Sequence, residues 1–227
     1  MAKEIALSSV VYFYEIGGGY QDQKGLGIVN IDKYADMFGI AEKTGVDLNG
    51  EKSGVIPSPD WKAKTFLNDG TWRIGDTYNT SIGQYGFQVT PLQMARAVAG
   101  IANNGNIPTP HVKLSDAALE KQKKIIPVDP AKMKIIQDAM RQVVTSGTAQ
   151  ALNIPQIKVA AKSGTAQIGL GNTNTNSWIV GFFPYDNPKY SFAVLMERGP
   201  KAASGNATQV MSEVVKYMSV YTPDYLK

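Results

Sequence analysis

The chain has 227 residues, 43% of them hydrophobic and 19% charged, with a net charge of +4, which is the balance of a globular protein and excludes a disordered one. It contains no cysteine and one histidine, His111, so disulfides, thiolate metal sites and cysteine catalysis are excluded and a Ser–His–Asp triad is disfavoured. No apolar run approaches the ~18 residues that would cross a bilayer, and the first residues do not form a signal peptide.

In chain order, IALSSVVYFYEIGG (5–18) is apolar on nearly every face and runs into three glycines, which predicts one buried helix closing on a glycine cap. Because Met1 leads straight into it, the chain reads as one that starts inside a domain. NIDKYADMFGI (30–40) predicts a short amphipathic helix. Residues 41–80 are rich in Gly, Pro, Asp, Asn and Thr, with PSPDW (57–61) and NDGTW (68–72) as turn signals, and predict a long irregular region. VTPLQMARAVAGIANNG (89–105) carries a helix grammar: Thr90 as cap, Pro91 at the first position and Gln93 completing a capping box. Leu92, Ala95, Ala99 and Ala102 form its packing stripe, and Gly105 ends it. His111 falls in the loop-like IPTPHVKL, where a surface or packing role is expected. KQKK (121–124) has no interleaved aromatics and reads as a solvated surface segment, not a nucleic-acid patch.

DPAKMKIIQDAMRQVVTSG (129–147) predicts a second capped helix with Met133, Ile136, Met140 and Val143 or Val144 on one face and Gly147 at its C-terminus. QIKVAA (156–161), SWIVGFFPY (177–185) and YSFAVLMERG (190–199) predict three antiparallel strands. NATQVMSEVVKYM (206–218) closes with a helix whose Val210, Met211, Val214 and Met218 point inward. The fold class is therefore α+β, an antiparallel sheet with packed helices. The pentapeptide SGTAQ occurs twice, at 146–150 and 163–167. The first copy ends a helix and the second continues a strand, so this is not a repeat.

Lys162-Ser163-Gly164-Thr165 on a strand has a chemical logic. Period 2 sends Lys162 and Gly164 to one face and Ser163 and Thr165 to the other. A cation beside two hydroxyls suits a carboxylate, a glycine admits a ligand, and an edge N–H can serve an oxyanion. A strand-end turn with solvated polar groups is the plain alternative. A phosphate loop is disfavoured because the lysine precedes the glycine.

Lys162-Ser163-Gly164-Thr165 also matches the K-[TS]-G motif, and GDTYNTSIGQYGFQVTPLQMARAVAGIANNG (75–105), MRQVVTSGTA (140–149), VAAKSGTAQ (159–167) and SWIVGFFP (177–184) follow in order. Together these resemble the transpeptidase domain of penicillin-binding proteins, which shares the motifs S-x-x-K, S-x-[ND] and K-[TS]-G with serine β-lactamases. The likeness covers nearly the whole chain and is greatest to the class B, elongation-type penicillin-binding protein 2. It implies the penicillin-binding, serine β-lactamase-like fold, incomplete at the N-terminus: residues 1–227 as a single, partial transpeptidase domain without the upstream nucleophile segment.

The resemblance further implies a DD-transpeptidase that cross-links peptidoglycan stem peptides through a serine acyl-enzyme and is trapped by β-lactams, without a cofactor or a metal. Lys162 would handle electrostatics and protons, Ser163 and Thr165 would bind the terminal carboxylate, Gly164 would leave room for the acyl chain, and the Thr165 N–H would face the oxyanion. LSSVVYFY (7–14) resembles the second-motif segment: Ser8 takes the proton-shuttling position, but Val10 stands where Asn or Asp is expected. Gln84-Tyr85-Gly86 replaces the more usual Gln-Gly. No serine in the chain is followed by lysine three residues later, so this chain alone is not expected to acylate. The alternative is a non-catalytic module holding a stem peptide or a cell-wall synthesis partner; a β-lactamase-like hydrolase lacks a candidate deacylating carboxylate. An extracytoplasmic location on a membrane-anchored parent follows from the resemblance alone.

Overall fold

Helix starts in this chain are written by short polar side chains. In a computed structural model, which describes residues 1–113, 124–169, 171, 173–201 and 205–226, five helices begin on a Ser, Thr, Asp or Asn that accepts from the first-turn backbone, as helix N-termini require. These are Val10–Gly18 (α2), Pro59–Thr65 (α4), Pro91–Ala102 (α6), Pro130–Thr145 (α7) and Ala207–Tyr221 (α8). Ala2–Leu7 (α1), Gly27–Met37 (α3) and Ile74–Ser81 (α5) are the other α-helices among the described residues.

Several expectations change. The single helix over 5–18 is two, α1 and α2, broken at Ser8, whose φ of 55° is left-handed. Gly19, at φ 86°, does close α2. The third helix starts three residues before the expected 30 and stops at Met37. The irregular region 41–80 contains α4 and α5, because the Ser-Pro of PSPDW is a helix start, not a turn: Ser58 Oγ accepts from Trp61 N at 3.1 Å and Pro59 follows. The reverse holds at Gly147, which has no left-handed φ and packs instead of capping.

Helix α6 has the expected capping box, with Thr90 N donating to Gln93 Oε1 at 2.8 Å and Gln93 N to Thr90 Oγ1 at 3.2 Å. Its buried face, however, is Gln93, Arg96, Ala97, Val98 and Gly100, while Leu92 is exposed. Gln93 Nε2 donates to the carbonyls of Glu42 and Ser53, each at 2.7 Å, and Arg96 Nε to that of Pro108 at 3.0 Å. Polar side chains are inside because they satisfy loop backbone there. Helix α8 is likewise rotated: Ala207, Met211 and Val215 are buried, Met218 is half-buried, and Val210 and Val214 face outward.

The sheet runs β3 (Ala160–Ile168), β4 (Asn174–Phe183) and β5 (Tyr190–Pro200), all antiparallel, in that order. A separate two-stranded ribbon joins β1 (Asn106–Ile107) to β2 (Lys124–Ile125). One sheet face buries Ala161, Ile179 and Phe183 with Met211 and Val215 of α8 and Val143 and Val144 of α7. The other buries Ala160, Val180 and Phe182 with Val98 of α6 and Met140 of α7. This is α+β, helices on an antiparallel sheet, as the pattern predicts. Of KQKK, residues 121–123 lie outside the described residues, and Lys124 is tied to Glu42 at 3.0 Å. Among the described residues no helix is long and apolar enough to cross a membrane.

Candidate active site

Among the described residues, strand β3 is the sheet's edge, with β4 as its neighbour. The carbonyls of Ser163 and Thr165 are met from outside the sheet, by Lys162 Nζ at 2.7 Å and Gln84 Nε2 at 3.4 Å. A strand residue sends its N–H and C=O to the same side, so the N–H groups of Ser163 and Thr165 also leave the free edge. Alternation holds as expected: Lys162 and Gly164 lie opposite Val180 and Trp178, and Ser163 lies opposite Ile179. All four motif residues nevertheless line one open groove of about 530 Å³, because the groove runs along the edge where both faces meet. Its floor is apolar, from Trp178, Val180, Leu195 and Met94.

Ser8 arrives from 154 positions away. The break between α1 and α2 throws its side chain outward, and Lys162 Nζ donates to Ser8 Oγ at 2.8 Å. A left-handed serine costs ~1 kcal/mol or more, a local strain of the kind that collects at functional sites. Burial holds the Lys162 amine down at about 8, with no carboxylate contributing to the shift. Near that pH the amine exists in both forms: the ammonium donates to Ser8, and the neutral amine can take the serine's proton. Two of the ammonium's three donors are committed, to Ser8 and to the Ser163 carbonyl, which leaves one for a ligand.

Gly164 answers a narrower question. A Cβ there would meet nothing closer than Trp178 Cβ at 3.5 Å, an ordinary contact. The protein itself does not require glycine at 164, so what it keeps open is the groove. Val10, at the first turn of α2, is 47% exposed; it gains little by burial and offers no hydrogen bond where the motif pattern has Asn or Asp. Exposed Leu7 and Val11 flank it, while Phe13 is half-buried. His111 lies in an exposed loop, its Nδ1 2.9 Å from the Lys113 carbonyl.

Other groups at or beside the groove had no role assigned in the sequence reading. Thr148, in the first SGTAQ, places Oγ1 2.6 Å from Ser163 Oγ. The first copy therefore touches the site instead of only ending a helix. Tyr85 sits at φ 74° in the groove wall, within a ring cluster of Trp61, Phe66 and Trp72. Behind it, Lys62 and Asp76 form a buried pair at 2.8 Å, and Asp76 also accepts from Arg73 N at 2.6 Å. These contacts fix the loop that delivers Gln84 to the strand edge. A signal was available, since six aromatics interrupt residues 61–87, but which of them meet depends on the fold.

Residues 1–216 match the family model described as the penicillin binding protein transpeptidase domain. The chain belongs to that family. Similar curated proteins include the peptidoglycan D,D-transpeptidase MrdA of Acinetobacter baumannii, 33% identical over 96% of this chain and 34% of its own length, and that of Haemophilus influenzae, 30% identical over 95% and 35%. The chain thus spans about a third of the length of these relatives. Among solved structures, penicillin-binding protein 2 of Pseudomonas aeruginosa in complex with WCK 5153 aligns with a TM-score of 0.83 at 32% identity, over 100% of this chain and 48% of that one. Penicillin-binding protein 2 of Helicobacter pylori in complex with MreC gives 0.80 at 31%, over 98% and 40%. The family and the penicillin-binding protein 2 type agree with the motif reading.

Proposed function

We propose that this chain is part of a peptidoglycan DD-transpeptidase domain and carries the strand-edge half of its active site, with an S-x-x-K segment supplied from outside these 227 residues. The observation that carries the reading is Ser8 held 2.8 Å from a lysine poised near pH 8, at the head of an open groove on a free strand edge. In the reaction, a serine oxygen attacks the penultimate D-alanine carbonyl of a stem peptide, terminal D-alanine leaves, and an amine of a second strand resolves the acyl-enzyme. Ser8 and Lys162 relay the proton towards the leaving nitrogen. Ser163 and Thr165 hold the terminal carboxylate. The Thr165 N–H faces the developing oxyanion, a donor worth about 3 kcal/mol. β-Lactams enter the same groove. The parent protein acts on the outer side of the cell membrane, within a cell-wall synthesis complex.

A second reading, a non-catalytic module that binds stem peptide or a cell-wall partner, draws support from Val10. Incubation with a reporter penicillin and intact-mass spectrometry separate the two. The 227-residue chain should gain no adduct; joined behind an S-x-x-K segment from a relative, it should gain one acyl group and release D-alanine from a stem peptide. A joined protein that binds the peptide without acylating supports the second reading. An adduct on a serine of the chain alone overturns the proposed division of the site.

A further inference from the structure

The two SGTAQ copies meet through their hydroxyls, Thr148 Oγ1 to Ser163 Oγ at 2.6 Å. A hydroxyl has one proton to give. A carboxylate, which only accepts, takes the proton of Ser163 when it binds. Thr148 is then left to donate to Ser163, and a chain of hydrogen bonds pointing one way strengthens each member. Among the described residues, Ser163 Oγ is the partner of the Thr148 hydroxyl.

The turn that carries Thr148 is fixed on both sides. Before it, a Cβ on Gly147 would fall 2.3 Å from the Ala6 carbonyl oxygen and 2.8 Å from Val143 Cα. After it, Ala149 is fully buried and its N–H donates to the Val143 carbonyl at 3.0 Å. Ala6 lies two residues before Ser8, so one joint between α1 and α7 seats both groups that flank β3: Ser8 on Lys162 and Thr148 on Ser163.

We propose that Thr148 is a positioning residue for ligand recognition, donating to Ser163 so that the Ser163 proton is directed at an anionic ligand terminus. This rests on the reading that Ser163 receives a carboxylate. Thr148 touches no substrate atom; its effect passes through one oxygen. It gives the groove selectivity for an acid over a neutral isostere, beyond that supplied by the Lys162 charge.

The test uses the 227-residue chain, with N-acetyl-D-alanyl-D-alanine and its C-terminal carboxamide titrated by ligand-observed NMR. Wild type should bind the acid about tenfold more tightly than the amide, as a charge-assisted hydrogen-bond site does. Thr148→Val, close to isosteric, should weaken the acid about fivefold and leave the amide unchanged, and Thr148→Ser should restore the acid. A Thr148→Val chain that keeps the wild-type preference, or loses affinity for both probes equally, refutes the positioning role and leaves the carboxylate reading standing. Wild type that shows no preference, or binds neither probe, overturns the carboxylate reading and the Thr148 role with it.

Discussion

The pentapeptide SGTAQ is folded twice in this molecule, and although Thr148 of one copy meets Ser163 of the other, the two backbones sit in different environments. At 146–150 it leaves α7 through a tight turn into a short 3-10 helix; at 163–167 it is extended along β3. Gly147 is jammed against backbone, whereas Gly164 faces an open groove. Ala149 is fully buried, while Ala166 lines the groove. Local sequence does not decide these states. What precedes each copy does: a capped amphipathic helix in one case, and in the other Ala160–Lys162, which already pair with β4. The second copy presents the chemistry; the first builds scaffold and lends the site one hydroxyl, Thr148 Oγ1 on Ser163 Oγ.

The sharpest break of that contrast is glycine to alanine in each copy. Gly147→Ala drives a methyl into the Ala6 carbonyl and the Val143 backbone, neither of which is a flexible side chain. It should cost about 3 kcal/mol, which lowers the melting temperature by roughly 6–12 °C for a chain of this size. Gly164→Ala should alter stability by less than about 0.5 kcal/mol yet block the groove, seen as loss of penicillin or dipeptide binding. Thermal unfolding of the two variants side by side checks this. Equal melting temperatures would mean that the α1–α7 joint is looser than its contacts indicate.

Alanine to serine is the next comparison. Ala149→Ser buries a hydroxyl among Val143, Val144 and Leu152, and without a partner it should cost about 1–3 kcal/mol. Ala166→Ser adds a hydroxyl to a groove open to water and should be neutral. Denaturant midpoints at unchanged slope give the answer.

Much of this contrast was legible in the letters. The capping box of Thr90 and Gln93, the Asp129-Pro130 start and strands β4 and β5 follow from local grammar, whereas β3 begins at Ala160 and leaves most of the expected 156–161 strand outside it. The Lys-Ser-Gly-Thr motif with its companions marked the candidate site. What escaped has two physical origins. Polar side chains that serve distant backbone invert the apparent buried face, as Gln93 and Arg96 do in α6. Contacts across long sequence gaps, such as Ser8 on Lys162 or Thr148 on Ser163, follow from where the sheet edge lies and have no local signature. The break at Ser8-Ser9 was hidden for a related reason: a continuous apolar pattern masked two serines that cap and kink.

A third difference between the copies lies just before them, where the second follows a half-buried lysine and the first does not. Burial lowers Lys162 from 10.5 to about 8. Its folded pKa therefore lies below its unfolded one, and the folded chain binds fewer protons between about pH 8 and 10.5. The lysine's destabilising contribution is fully present below about pH 8 and is relieved as pH rises through that window. Lysine side-chain NMR should show one amine titrating near 8, absent in Lys162→Met. That variant should also lose the corresponding upward slope of stability with pH. A Lys162 that titrates near 10.5 would remove the proton-relay role and leave a simple ion-binding strand.

The smallest expected change asks which side of the contrast the α1–α2 joint belongs to. Val10 opens α2 and is exposed, so Val10→Asn should move stability by less than about 0.5 kcal/mol. If the joint were scaffold alone, nothing else would follow. Its neighbour Ser8, however, is bonded to Lys162, and an amide at position 10 stands where the family pattern has Asn or Asp. In the protein joined to an S-x-x-K segment, Val10→Asn should therefore raise the penicillin acylation rate about fivefold, the worth of roughly one hydrogen bond. An unchanged rate at unchanged stability would show that this position does not act on the site in this chain, and would assign the joint, like the first SGTAQ copy, to holding Ser8 in place.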